Sequence, residues 1–271
     1  MKRLRIYLPF AVNELKTQLS YRGAFYLFLV ISTFGSFVSY FLWDAIYASS
    51  ETAVLGGLTR AEMVVYIFMV YVTRSMVTSS ISDWVSEDVV KGMVSMQLIK
   101  PIDYRLSLVA RAMGTMVYQF LAPGVFIWIG LELYKYFVLG IPFTDPTNVA
   151  LYLLSCVMSF LIYVLFDFCV GMIAFFTNYI FGLLMVKHAL LSFLTGQLIP
   201  LTFFPETVQR VFDFLPFSSM VYTPVMIYLG KYSGGELAFV LLRQAVWVVL
   251  LYGIGSLIWR RVVKRLVVLG G

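Results

Sequence analysis

The chain has 271 residues, of which 61% are hydrophobic, 17% aromatic and only 13% charged. A soluble domain is about a quarter charged, so lipid is the expected solvent, and one membrane domain accounts for nearly the whole length, with no linker or composition shift. The net charge of +6 does not point to nucleic acid, because the basic residues flank apolar runs, where bilayer orientation places them and anionic lipid headgroups receive them.

At the N-terminus, Leu4, Leu8, Ala11, Leu15 and Leu19 recur at helical spacing, with Lys2, Arg5, Asn13 and Lys16 off that stripe. The pattern predicts a helix lying in the cytoplasmic interface; a basic leader that only sets topology is the alternative. Basic residues persist to Lys16 and Arg22 without a small-residue cleavage pattern, so a signal peptide is not expected.

A spanning helix needs about 20 mainly apolar residues, and residues 24–43, 61–82, 107–133, 149–176, 180–201 and 239–259 each qualify. The expected fold is an all-α integral membrane protein with six transmembrane helices and both termini on one side. Placing the termini in the cytoplasm puts fourteen Lys and Arg inside, Lys2, Arg3 and Lys91 among them. Five remain outside: Arg60, Lys135, Arg210, Lys231 and Arg243. That asymmetry predicts N-in and C-in.

In the first span Ser32, Ser36 and Ser39 share a face beside Gly35, a small-residue surface for close helix packing or for a seam with a second chain. Arg74 sits well inside the second span and shares a helical face with Thr78. Intramembrane charges usually face a bundle interior or water, so the pair could line a pathway; an arginine paired with an acid or snorkelling outward is the competing reading. Asp167 in the fourth span is its candidate partner. Lys187 and His188 are expected to reach toward the cytoplasmic interface. Cys156 and Cys169 lie about 20 Å apart along one helix, too far to bridge, and read as packing.

Between the second and third spans runs "SEDVVKGMVSMQLIKPIDYR", Ser86 to Arg105. Ser86 is a plausible N-cap, Glu87 and Asp88 occupy a first turn that favours anions, and Val89, Met93 and Met96 form a stripe. Lys100 and Pro101 then end the helix. These features suit docking on a soluble partner and equally a helix resting on headgroups.

Between the fifth and sixth spans, Leu198 to Gly230 is too apolar for an exposed loop, yet Pro200, Pro205, Pro216 and Pro224 forbid one straight helix. Short helices are expected over Glu206–Phe214 and Tyr222–Leu229. Together, over about residues 205–230, they form an outer re-entrant or interfacial pair that gates an exit or caps the fold without moving.

These segments together carry a family likeness. Glu87-Asp88-Val89-Val90-Lys91-Gly92, then Leu98-Ile99-Lys100-Pro101-Ile102-Asp103, are followed by Gly196-Gln197-Leu198-Ile199-Pro200-Leu201, Phe204-Pro205 and Phe214-Leu215-Pro216-Phe217. In these segments and in span order the chain resembles permease subunits of type-2 ABC exporters, in particular the viologen-exporter-like branch, over almost its full length. The resemblance implies that the helix over about Ser86–Ile99 is a coupling helix. Glu87, Asp88, Lys91, Gly92, Met93, Met96, Lys100 and Pro101 would then meet a nucleotide-binding ATPase subunit. It further implies two permease halves in a bacterial cell membrane, the second leaning toward a different six-span chain, with a copy of this one as the alternative. Pro200, Phe204, Pro205, Phe214 and Pro216 become outer-gate residues.

No G-x-x-x-x-G-K-[ST] phosphate loop occurs, and Gly230-Lys231 lacks both its upstream glycine and its following hydroxyl. ATP and magnesium therefore belong on the partner, and the chain is expected to bind no cofactor. The expected activity is export of a hydrophobic or amphipathic compound, with a polysaccharide or lipid-linked glycan as the alternative cargo. An intramembrane enzyme is remote, since the single histidine, His188, has no evident partner.

Overall fold

The computed structural model describes residues 4–20, 22–177 and 180–269; Lys2 and Arg3, counted above among the inner charges, lie outside them. A 3₁₀ turn at Leu4–Ile6 leads into α1 (Leu8–Ser20). This helix lies along α6 (Tyr104–Gln119), and Gly114 makes the approach possible: a Cβ there would run into the backbone carbonyl of Ala11.

The first long helix, α2 (Arg22–Ser49), presents Gly35 to the Tyr71 ring and bonds Ser39 to the Tyr71 hydroxyl at 3.3 Å. Part of the serine face is thus spent on packing within the chain. A two-residue hairpin, β1 (Val54–Leu55) with β2 (Leu58–Thr59), turns through Gly56 and Gly57, both at positive φ, the requirement of a tight primed turn. Thr59 and Glu62 then close a capping box that starts α3 (Arg60–Val77).

The second predicted span, 61–82, is broken. Thr78 is extended at the end of α3, and α4 (Ile81–Val90) departs at 43°. Hydroxyl side chains at Thr78, Ser79 and Ser80 offer the backbone local alternatives to the helical ladder, and the Ser79 hydroxyl accepts from the Ile81 amide at 3.2 Å. Next comes the short α5 (Val94–Ile99).

From Tyr104 to Phe137 the chain is one continuous rod, comprising α6, a π turn at Phe120–Gly124 and α7 (Val125–Phe137). Pro123 lacks the donor for a regular ladder, and the wider π turn absorbs it. The fourth predicted span corresponds to α8 (Pro146–Gly171) with a 3₁₀ extension to Phe175. Its Cys156 is buried and Cys169 only half so.

The fifth, 180–201, contains a helix only over α9 (Ile180–Leu194). At about 1.5 Å per residue its 15 residues fall short of a full bilayer crossing. Beyond it lie a 3₁₀ turn at Leu201–Phe203, then α10 (Glu206–Phe214) and α11 (Tyr222–Tyr228), the two short helices expected in this proline-broken segment. A last helix, α12 (Gly234–Leu269), extends well past the predicted 239–259 at both ends.

Among the described residues, four helices are long and apolar enough to cross a membrane, and a fifth crossing arises if the bent α3–α4 pair is one span. The chain is thus an all-α, multi-pass membrane protein. Its main core gathers α3, α8 and α11 around Tyr66, Met69, Tyr152 and Met220. Gln244 of α12 is fully buried there, bonded to Ser155 and Ser159 of α8 and to the Ser219 carbonyl at 2.9–3.0 Å. A polar clamp of this kind holds helices together where lipid supplies no hydrophobic contrast.

Candidate functional site

The expected single helix from Ser86 to Ile99 is two. Ser86 is no N-cap: it lies buried within α4 and donates its hydroxyl to the Ser82 carbonyl. Glu87 and Asp88 accordingly stand in the last turn of α4, not in a first turn that favours anions. The cause is Gly92. It adopts φ +67°, the Gly92 amide donates to the Val89 carbonyl at 3.0 Å, and the Met93 amide donates to the Asp88 carbonyl at 2.8 Å. That pair of bonds is a Schellman stop. The second segment, α5, ends at Ile99, and Lys100 is already extended before Pro101, as the proline requires.

The break rearranges the expected stripe. Val89 is half-buried, whereas Val90, Met93, Met96 and Ile99 are 67%, 42%, 67% and 83% exposed. Charges rim this apolar surface. Glu87 pairs with Lys91 across one turn, and that bond holds the Glu87 carboxyl below the usual carboxylate range. On the other flank Lys100 donates to Gln97 at 2.7 Å. An apolar centre with a charged rim is the anatomy of a protein-binding surface.

Behind it, α4 is fastened on three sides. The Tyr104 hydroxyl donates to Asp88 at 2.8 Å. Arg111 of α6 lies 4.0 Å over the Trp84 ring while pairing with buried Glu14 of α1 at 2.6 Å. At the start of α4, Asp167 accepts from the Ser82 amide at 3.1 Å and pairs with Lys187 at 2.8 Å; Lys187 also donates to the Ser82 hydroxyl at 2.6 Å. The exposed surface is thus connected through α4 to α1, α6, α8 and α9.

These contacts correct two expectations. Asp167 does not partner Arg74; its carboxylate is taken by Lys187 and the α4 N-terminus. Lys187 does not snorkel but is buried. Arg74 and Thr78 do adjoin, through the Thr78 hydroxyl, which donates to the Arg74 carbonyl at 2.6 Å and contacts Gln119 at 3.1 Å.

At the other end, Phe204 packs edge-on between Phe193 and Phe212, both at 5.3 Å. Pro200 and Pro216 are buried; Pro205 and Phe214 are exposed. Arg243 of α12 binds Asp213 of α10 at 2.8 Å and Thr223 of α11 at 3.2 Å. A cluster not expected from sequence joins α7 to α11: Glu132 accepts from Lys135 at 2.9 Å, from the Thr144 amide at 3.1 Å and from the Tyr228 hydroxyl. Its residues are scattered over 96 positions, so only the folded arrangement brings them together.

The family model for ABC-2 family transporter proteins matches residues 34–270. The chain belongs to the ABC-2 transporter family. It is thus a permease, a transport subunit of a family whose membrane proteins work with a nucleotide-binding ATPase subunit. No curated protein matches it.

Proposed function

We propose that this permease is the membrane half of an ATP-driven exporter, moving a hydrophobic or amphipathic compound with energy from a separate ATPase chain. The observation that carries this is the exposed apolar surface of Val90, Met93, Met96 and Ile99, rimmed by Glu87, Lys91 and Lys100 and fastened through α4 to the membrane helices. With no phosphate loop in the chain, such a surface is where a nucleotide-binding partner delivers force. ATP and magnesium sit on that partner.

In this reading the chain crosses a bacterial cell membrane six times, with α9 as a short fifth crossing and both termini in the cytoplasm. It pairs with a second permease half, for which the viologen-exporter-like resemblance favours a different chain. Lipids cover its apolar flanks, and α10–α11 close the outer end. A groove of about 500 Å³ between α2, α3 and α7, lined by Phe37, Tyr40, Phe68 and Leu131 among others, favours apolar cargo over a glycan.

The test is charge reversal at the rim. Glu87→Lys, reconstituted with the ATPase subunit, is expected to leave the membrane domain folded and ATP hydrolysis active while efflux of an amphipathic dye from proteoliposomes falls. Unchanged dye efflux per ATP would remove the coupling role from this surface.

A further inference from the structure

The corner where α5 hands over to α6 borders two cavities. One, of about 440 Å³, is a groove lined by α6, α8 and α12. Val109, Leu165, Phe168 and Val249 make it apolar, and its charged lining is Asp103 and Arg105, at the start of the Tyr104–Phe137 rod. Beside that end, Trp259 of α12 stacks on Tyr104 at 5.6 Å and meets Phe168 at 5.9 Å, so the three helices converge at one membrane edge. The second cavity, of about 650 Å³, shares Asp103 and Leu106 with the groove and adds Ile6, Tyr7 and Lys100.

The corner itself is fixed. The Asp103 amide donates to the Tyr7 hydroxyl at 2.9 Å. Arg105 grips Asp103 side-on, Nε to Oδ1 at 3.2 Å and Nη2 to Oδ2 at 2.8 Å. Among the described residues Nη1 is left without a bonded partner, and the pair is only half-buried. With Asp103 answering Arg105, Lys100 gives the corner one positive charge in excess. On α12, Arg260, Arg261 and Lys264 follow Trp259 toward the same edge.

An apolar groove with a basic mouth at a membrane edge has the chemistry of a phospholipid site. The chain fills the apolar part, a phosphate takes charge-assisted bonds from the guanidinium, and basic residues at this level favour anionic headgroups. Along α12 the groove runs from Val248 to Ser256, about 12 Å at 1.5 Å per residue, room for part of one acyl chain. We infer that this groove binds an anionic glycerophospholipid, with an acyl chain between α6, α8 and α12 and the phosphate on Arg105 and Lys100. Such a lipid bridges α12 to the corner where α5 meets α6. The inference needs only the membrane fold, so it stands apart from the ATPase and the cargo.

The full chain is placed in phosphatidylcholine nanodiscs holding a trace of phospholipid with a photoactivatable diazirine in mid-chain. The probe's headgroup is phosphatidylglycerol in one set and phosphatidylcholine in the other, and labelled peptides are mapped by mass spectrometry. The phosphatidylglycerol probe is expected to label the groove faces of α6, α8 and α12 about fivefold more than its counterpart, the factor that one basic residue contributes toward anionic lipid. Arg105→Gln should bring the two probes level, and Arg105→Lys should keep most of the difference. Val249→Trp, which fills the groove from an exposed position, should remove labelling there by both. Equal groove labelling by the two probes in the wild type would overturn the site, as would a difference unchanged in Arg105→Gln or labelling confined to other helices. Displacement by the amphipathic dye of the efflux assay, but not by unlabelled phosphatidylglycerol, would give the groove to cargo and likewise overturn it. Should Arg105→Gln fail to fold, the wild-type comparison and Val249→Trp decide.

Discussion

Asp167 and Lys187 are both buried and satisfy each other, and the carboxylate also holds the first free amide of α4. Removing one member of such a pair strands a charge and costs about 3–5 kcal/mol, whereas replacing both with neutral side chains of similar volume is far milder. Asp167→Asn and Lys187→Met should each lower the thermal midpoint of the purified protein strongly, while the double variant recovers most of the loss. Additive losses would show that the two residues do not act as a pair. The sequence made each residue conspicuous, as a charge in an apolar run. It did not reveal the pairing, because Asp167 meets Lys187 only when α8 and α9 are placed side by side. Arg74 is conspicuous for the same reason, and that Asp167 is not its partner emerges only once those helices are placed.

Between the spans, Gly92 decides the shape of the α4–α5 surface. A residue with a Cβ at φ +67° costs about 1–2 kcal/mol, and nothing lies within 4 Å of where that Cβ would stand. Gly92→Val should therefore act through the backbone alone: a small drop in thermal midpoint, with α5 turned away and ATP-driven transport reduced. Transport at the wild-type rate would mean that the direction of α5 is immaterial. Four of the spans and the two short helices α10 and α11 were legible because apolar length and proline spacing act locally. Two stops were not. Thr78-Ser79-Ser80 gives no strong stop signal, since small hydroxyl residues barely alter the apolar character of a span. Lys91-Gly92 is a helix-end signal, yet Pro101 supplies a second one nine residues later, and periodicity alone does not choose between them. Where the first stop holds, the stripe expected from Val89 becomes a surface centred on Met96.

At the scale of the whole molecule, the proposed coupling has force entering at α4–α5 and leaving through the helices that grip it. The ion pair at Asp167, the Arg111 stack on Trp84 and the Glu14 bond connect that surface to α1, α6, α8 and α9, so a push on Met96 is a push on the membrane body. Apolar composition made the membrane fold legible. The grip itself is tertiary, built from residues up to 105 positions apart. The most direct test is cross-linking at the centre of the surface. With Cys156 and Cys169 replaced by Ala, Met96→Cys carrying a short photoactivatable cross-linker is irradiated in native membranes. The cross-linked product should contain a second chain that binds ATP, and pre-loading a non-hydrolysable nucleotide should change the yield. A product containing only lipid or another membrane-spanning chain would contradict the claim that an ATPase docks here.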